Sequence, residues 1–411
     1  MKRRVALYVV MLALPLCVLA SQSGTQSTSP PSSAPQDPNG AHFAFGGNAA
    51  QIPAQFLGNL IFLPVQLNGA APSFFLLDSS AAQTSVEPLG KAPGSSEALA
   101  EKSLGYAVLR LPGVVLPVRS LPIIEHKDFA PQYGQAPHGV LGLDFFNRVV
   151  IEINYYRQTV QLYDPAAFTY SGTGTSFPLE MSPAGPLVRG KFQLAGRKNY
   201  DTQFVVDTAL DSSIVFSRAF TDSEKISSAH FKAFESCDPR LASGTKLLVA
   251  RVKQMQLGPY TVQESIGAFM QQNLAGANDR KIAGAIGGGL LRRFNVILDF
   301  PHNRMILEPN LSINTLEDAD MSGLSIIATG ANLRTFEVVN VQKGTPASDA
   351  GIQVGDVIAG LDDEAAADFT LTALREEFRQ FGKELAGHQY KILLDRKGQT
   401  ITVKLKMRRL V

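Results

Sequence analysis

Two stretches of this 411-residue chain drive an aspartate into the end of an apolar run: "FFLLDSSAAQTSV", carrying Asp78, and "QFVVDTALDSSIV", carrying Asp207. Small or hydroxyl-bearing residues stand directly behind each acid, Ser79 and Ser80 in the first stretch and Thr208 and Ala209 in the second. A lone ionised carboxylate held away from water loses hydration worth on the order of several kcal/mol. Two carboxyls that meet can do acid–base chemistry instead.

Each acid must be delivered by a buried strand, and the chain builds the delivering unit twice. "VQLNGAAPSFFLLDSSA" corresponds to "FQLAGRKNYDTQFVVDTAL". Farther on, "GVLGLDFFNRVVIEINYYRQTVQLYDP" aligns without a gap to "GAIGGGLLRRFNVILDFPHNRMILEPN", matching Gly139 to Gly284, Gly142 to Gly287, Arg148 to Arg293 and Leu162 to Leu307. In both copies an apolar-apolar-Gly element leads into a short helical stretch and then two strands joined by a polar turn. Self-similarity of this kind marks a repeated supersecondary unit. It predicts a pseudo-twofold pair of lobes, residues 51–170 and 171–310, with one aspartate from each meeting at the axis. Ordered structure is expected from "FLGNLIFLPVQLNG", where Asn68-Gly69 predicts a hairpin turn.

The overall composition fits this β reading. Hydrophobic residues make up 45% and charged residues 18%, and 35 Gly and 24 Pro punctuate many short apolar runs. These values describe a globular chain with turn-rich, mainly β structure. The amino terminus, "MKRRVALYVVMLALPLCVLASQS", has a basic start, a short apolar stretch and small residues before a polar segment. That layout predicts a signal peptide over residues 1–20, hence export to a periplasmic or extracellular destination, with no membrane span after cleavage. Residues 21–50, rich in Ser, Pro, Gln and Gly, are expected to be a disordered tether. Loss of Lys2, Arg3 and Arg4 takes the formal charge from +2 to about −1, which gives no electrostatic reason to expect nucleic acid. Of the two cysteines only Cys237 then remains, read as a small buried hydrophobe.

The paired Asp-Ser/Thr-small signatures, each followed by an apolar-apolar-Gly element, resemble the aspartic proteases of the retropepsin/pepsin group over roughly residues 55–310. That resemblance implies two retropepsin-like β-barrel lobes and a catalytic pair formed by Asp78 and Asp207. Ser79 and Thr208 would brace the two turns against each other. Such a pair shares one proton, because two adjacent carboxylates resist ionising together. Its ionised member would activate a water, and its protonated member would polarise a peptide carbonyl. Substrates would be proteins or peptides, with no cofactor. The family's flap is expected within "SLGYAVLRLPGVVLPV", with Tyr106 as a candidate.

Departures from the family pattern bear on activity. Where the family has Gly, this chain has Ser80 and Ala209; Gly suits a backbone that closely approaches the opposing loop. Ser80 adds a hydroxyl next to the pair. Ala81 and Leu210, which follow, offer no hydroxyl to steady an ionised carboxylate, so the expected activity optimum is less acidic than with such donors. Two readings remain open: an active endopeptidase, or an inactive protease-like scaffold that binds peptides. Ser80 is the feature that favours the second.

The carboxy-terminal segment, residues 320–411, is a different unit. "GTPASDAGIQVGDVIAGLD" resembles the PDZ domain, with its small-residue helix, Ala-Gly turn and Gly-Asp before a strand. Leu371, Leu374, Phe378 and Phe381 recur at helical spacing. By resemblance, that helix and the strand after Gly323 would form a groove for peptide carboxyl termini, with Gly323, Leu324, Ser325 and Ile326 in the carboxylate-binding loop.

Other chemistries find no support in the sequence. The six histidines show no paired zinc spacing, so no metal site is expected. "GAIGGGLLRR" lacks the Lys-Ser/Thr of a phosphate loop, and no Gly-x-Ser-x-Gly elbow occurs. Asn310-Leu311-Ser312 is a formal glycosylation acceptor.

Overall fold

The two copies of the repeat meet in one six-stranded sheet. Its order is Ala49–Ile52, Thr159–Tyr163, Val150–Asn154, Phe294–Asp299, Arg304–Pro309 and Thr175–Pro178, so matched strands run outward from the centre in both directions. The central pairing, Ile151 against Leu298 and Ile153 against Val296, joins the copies. Alternation divides the side chains of this sheet between two faces, and the smaller cluster of Val150, Ile297 and Ile306 lies on one of them. Ile151, Ile153, Val160, Leu162, Val296, Leu298, Met305 and Leu307 point to the other side and are fully buried. They belong to a single core that draws residues from both copies.

The structure is a computed structural model that describes residues 40–88, 102–125, 129–226, 231–237, 245–273, 279–381 and 385–411. Mainly β structure is its dominant feature. In the first copy an eight-stranded sheet centres on the hairpin Leu60–Leu67 and Ser73–Leu77. The hairpin turn uses Asn68 and Gly69, both left-handed, at φ 51° and 79°. In the second copy, Gly185–Leu194 pairs with both Asn199–Val206 and Lys246–Leu257, which closes that sheet into a barrel.

The tether expected over residues 21–50 is shorter than that. His42–Phe43 pairs with Val114–Val115, and Ala49–Ile52 pairs with Val160–Tyr163. Ile52 is 1% exposed, and Phe43 and Ala50 pack on the core, so these few apolar residues suffice to hold the segment. The signal peptide and the rest of the tether lie outside the described residues. The segment expected to hold the flap forms a hairpin, Ala107–Leu111 with Val114–Val118, which joins the first sheet through Gln66 and Arg110. Tyr106, just before it, is 68% exposed.

The carboxy-terminal unit has its own core, from Met321 to Met407. Its sheet runs Leu324–Thr329, Thr335–Val341, Val357–Leu361, Gln389–Arg396 and Gln399–Lys406, leaving Leu324–Thr329 at an edge. A helix, Leu371–Phe378, starts at Thr370, whose hydroxyl accepts the Ala373 amide at 3.0 Å. Leu371, Leu374 and Phe378 bury its apolar face. Phe381 falls at helical spacing but lies on a strand, because Arg379–Phe381 pairs with Glu317–Asp320. That pairing starts the unit at residue 317 rather than 320. Among the described residues no helix is long and apolar enough to cross a membrane.

Candidate active site

The strand Ser73–Leu77 lies parallel to Gly139–Leu141, and Asn199–Val206 lies parallel to Ile282–Ile286. Each aspartate leaves its strand with its own amide still anchored, Asp78 to the Leu141 carbonyl and Asp207 to the Ile286 carbonyl, both at 3.0 Å. The chain after each aspartate then turns tightly over the apolar-apolar-Gly element. A Cβ on Gly142 would lie 2.5 Å from the Gln83 backbone, and one on Gly287 would lie 2.3 Å from the Leu210 carbonyl oxygen. Two backbones in contact leave no space for a side chain, which accounts for this glycine in both copies.

Between the copies the turns exchange hydrogen bonds. The Ser79 amide donates to the Thr208 hydroxyl at 3.0 Å, and the Thr208 amide donates to the Ser79 hydroxyl at 3.0 Å. Each hydroxyl then donates onward at 2.7 Å, Ser79 to the Val206 carbonyl and Thr208 to the Leu77 carbonyl. Both residues are fully buried, whereas Asp78, Ser80, Asp207 and Ala209 are half-buried.

The carboxyls sit directly above this lattice. Asp78 Oδ1 accepts the Ser80 amide at 2.8 Å, the Ser80 hydroxyl at 2.8 Å and the Ala81 amide at 3.0 Å. Asp207 Oδ1 accepts the Ala209 amide at 2.9 Å. Burial first, and then the negative charge of Asp78, push the Asp207 carboxyl up to about 7; hydrogen bonds from Ala209, Ser80 and Leu210 hold it down. The two acids therefore feel each other, and Ser80 acts on both. The hydroxyl donor stands one residue before the position where the sequence lacks it. Ala81 has no hydroxyl, but Ser80 brings one to Asp78 from the preceding position.

Thr84 and Ser213, matched in the repeat, support the turns from below. Thr84 receives the Gly142 amide on its hydroxyl and donates that hydroxyl to Asp144 at 2.6 Å. Ser213 receives the Gly287 amide on its carbonyl and donates its hydroxyl to Glu317 at 2.5 Å. Glu317 comes from the strand that opens the carboxy-terminal unit. It is 3% exposed, with Arg293 and Arg379 each 3.6 Å away. Arg379 also reaches Asp211 at 3.1 Å, and Asp211 in turn accepts the Asn59 amide at 2.9 Å. Asn59, Asp211 and Glu317 were not singled out in the sequence. A signal existed: Asp211 matches Ala82 in the first copy, so the acid marks a contact made by the second copy alone.

The edge strand and helix of the carboxy-terminal unit face the body. Arg375, on the helix, donates to the Ile326 carbonyl at 2.5 Å and to the Gln132 carbonyl of the first lobe at 2.7 Å. In the loop that holds Gly323 and Leu324, the Ser322 and Gly323 amides donate to Asp320 at 2.9 and 2.6 Å, and the Leu324 amide donates to the Ser322 hydroxyl at 3.1 Å. Those three amides are thus already engaged. A cavity of about 150 Å³ between body and groove is lined by Asp211, Glu317, Leu324, Ser325, Ile326 and Arg375; the aspartate pair does not line it. Among the described residues no group of three or more His, Cys, Asp or Glu side chains could hold a metal ion. Asn310 donates its side-chain amide to the Arg292 carbonyl at 2.8 Å and so serves as a turn residue.

Comparison with known proteins matches residues 317–407 to the PDZ domain family, and this unit is a PDZ domain. No curated protein matches the chain. Among solved structures, an aspartic proteinase from Irpex lacteus is similar at a TM-score of 0.40 and 14% identity, covering 64% of this chain and 98% of that one.

Proposed function

We propose that this protein is an exported aspartic-type endopeptidase whose catalytic pair is Asp78 and Asp207, with a PDZ domain that binds peptides. The observation that carries this reading is the reciprocal Ser79–Thr208 exchange beneath the two carboxyls. An architecture that only capped two turns with aspartate has no need to lock those turns together across the molecule. Locked together, they hold two acids close enough for one to raise the other's proton affinity.

The chemistry follows from a single shared proton. The ionised carboxylate takes a proton from water as the water oxygen bonds to the peptide carbonyl carbon. The carbonyl π electrons move to its oxygen, which takes the proton of the other carboxyl. In the second step the amine nitrogen takes the first proton, the carbon–nitrogen bond breaks, and one diol hydroxyl returns its proton to the second carboxylate. Atoms and charges balance with no covalent intermediate. Binding at the PDZ domain would follow strand addition beside Leu324–Thr329. An incoming peptide displaces Arg375 from the Ile326 carbonyl. Export rests on residues 1–20 alone.

The test is cleavage of an unfolded protein by the chain beginning at Ser21, with fragments identified by mass spectrometry. Wild type should cut, and Asp78→Asn and Asp207→Asn should not. If all three leave the protein intact while the PDZ domain still binds peptides, the chain is a scaffold.

A further inference from the structure

The two aspartate turns match at nearly every atom that touches them, and the exception is one oxygen. Both aspartate amides are anchored to an apolar-apolar-Gly strand, both turns exchange hydroxyls, and both carboxyls receive the amide two residues on. At that second position one copy has Ser80 and the other Ala209. Ser80 adds a hydroxyl donor 2.8 Å from Asp78 Oδ1, bringing three donors onto one carboxylate oxygen.

We infer that the Ser80 hydroxyl sorts the shared proton, holding the negative charge of the pair on Asp78 and leaving the proton on Asp207. Donors aimed at a carboxylate oxygen favour its ionised form, and three of them converge on Asp78 Oδ1. Ser80 and Leu210 also act on Asp207, but the short bond of the Ser80 hydroxyl, 2.8 Å, runs to Asp78, and burial raises the proton affinity of Asp207. Gly185, at φ 115°, lies over Ser80, and a Cβ there would sit 3.4 Å from the Ser80 Cα. The other titratable groups facing the second turn do not reverse the bias. Burial pushes the Tyr155 hydroxyl up, so it stays neutral, and Asp211 is paired with Arg379.

For catalysis this inference rests on the protease reading above and sharpens it: Asp78 is the base toward water and Asp207 the acid toward the carbonyl. Ser80, which looked like a sign of decay, is then a positioning residue. The unusual Ser in place of Gly replaces the hydroxyl that Ala81 does not supply.

The test is a carboxyl titration that needs no turnover. Aspartate carboxyl carbons are labelled with 13C in the chain from Ser21, and Asp78 and Asp207 are assigned by Asp78→Asn and Asp207→Asn. In wild type at pH 6, the Asp78 carbon should show the ionised shift and the Asp207 carbon the protonated one. In Ser80→Ala, ionisation of the pair should begin at higher pH, by on the order of one unit for loss of one donor to a charged oxygen. Ser80→Thr, which keeps the hydroxyl, should restore the wild-type onset. A protonated Asp78 in wild type overturns the inference even if neither Ser80 variant folds, and so does a Ser80→Ala titration identical to wild type. If the titrations behave as expected but no substrate is cut at any pH, proton sorting stands and the protease reading fails.

Discussion

Ser79 and Thr208, 129 residues apart in sequence, each accept the other's backbone amide on a side-chain hydroxyl at 3.0 Å. Neither hydroxyl is replaceable by a group of similar size without stranding a buried donor and a buried acceptor. Thr208→Val should therefore destabilise the body by about 2–4 kcal/mol, from the amide and carbonyl left unpaired. Thr208→Ser, which retains the oxygen, should lose much less. Urea unfolding of both variants checks this; equal midpoints for Val and Ser would mean the exchange contributes nothing.

The raised proton affinity of Asp207 predicts a pH-dependent stability. Its folded value of about 7 lies above the ordinary carboxyl value of 3.8. Between these, the folded state binds more protons than the unfolded state, so the stabilisation is present in full below about pH 4 and is lost as pH rises through 7. Asp207→Asn removes that loss. Melting temperatures of wild type and Asp207→Asn should diverge in favour of the variant from pH 4 to pH 8; parallel curves would show that Asp207 titrates normally.

Glu317 ties the PDZ domain to the second aspartate turn. It accepts the Ser213 hydroxyl and lies between Arg293, which is fully buried, and Arg379. Removing one partner from a buried ionic group leaves charge uncompensated, so Glu317→Ala should lower stability by about 3 kcal/mol. A chain ending at residue 316 should melt lower than the full protein for the same reason. If the truncated body melts as the whole does, the PDZ domain is an appendage rather than part of the frame.

Arg375 spans from the helix to the Ile326 carbonyl, an acceptor that an added peptide strand would otherwise use. Arg375→Ala should tighten binding of an extended peptide by roughly threefold to tenfold, the range of one modest hydrogen bond regained. Fluorescence anisotropy with a labelled peptide reads it directly. Weaker binding in the variant would make Arg375 part of the ligand site instead.

Much of this arrangement was legible in the residues because local pattern and repetition agree. Two copies of strand, Asp, small residue and apolar-apolar-Gly specify two turns whose backbones touch, and Gly142 and Gly287 show the contact that excludes a side chain. The helix from Leu371 was legible from its period, but its end was not. Phe381 keeps the spacing while pairing with Glu317–Asp320 draws the chain into a strand. Contacts across long separations left no periodic trace. Asn59 meeting Asp211 and Glu317 meeting Ser213 depend on how the units pack, which neither propensity nor motif encodes.

The central claim is that Asp78 and Asp207 act together through one proton, and the rate of peptide cleavage as a function of pH tests it most directly. The account predicts a bell-shaped kcat/KM whose alkaline limb falls near pH 7, where Asp207 gives up its proton, and a loss of about a thousandfold or more in Asp78→Asn and in Asp207→Asn. A rate that stays level through pH 7, or that survives either substitution, contradicts it.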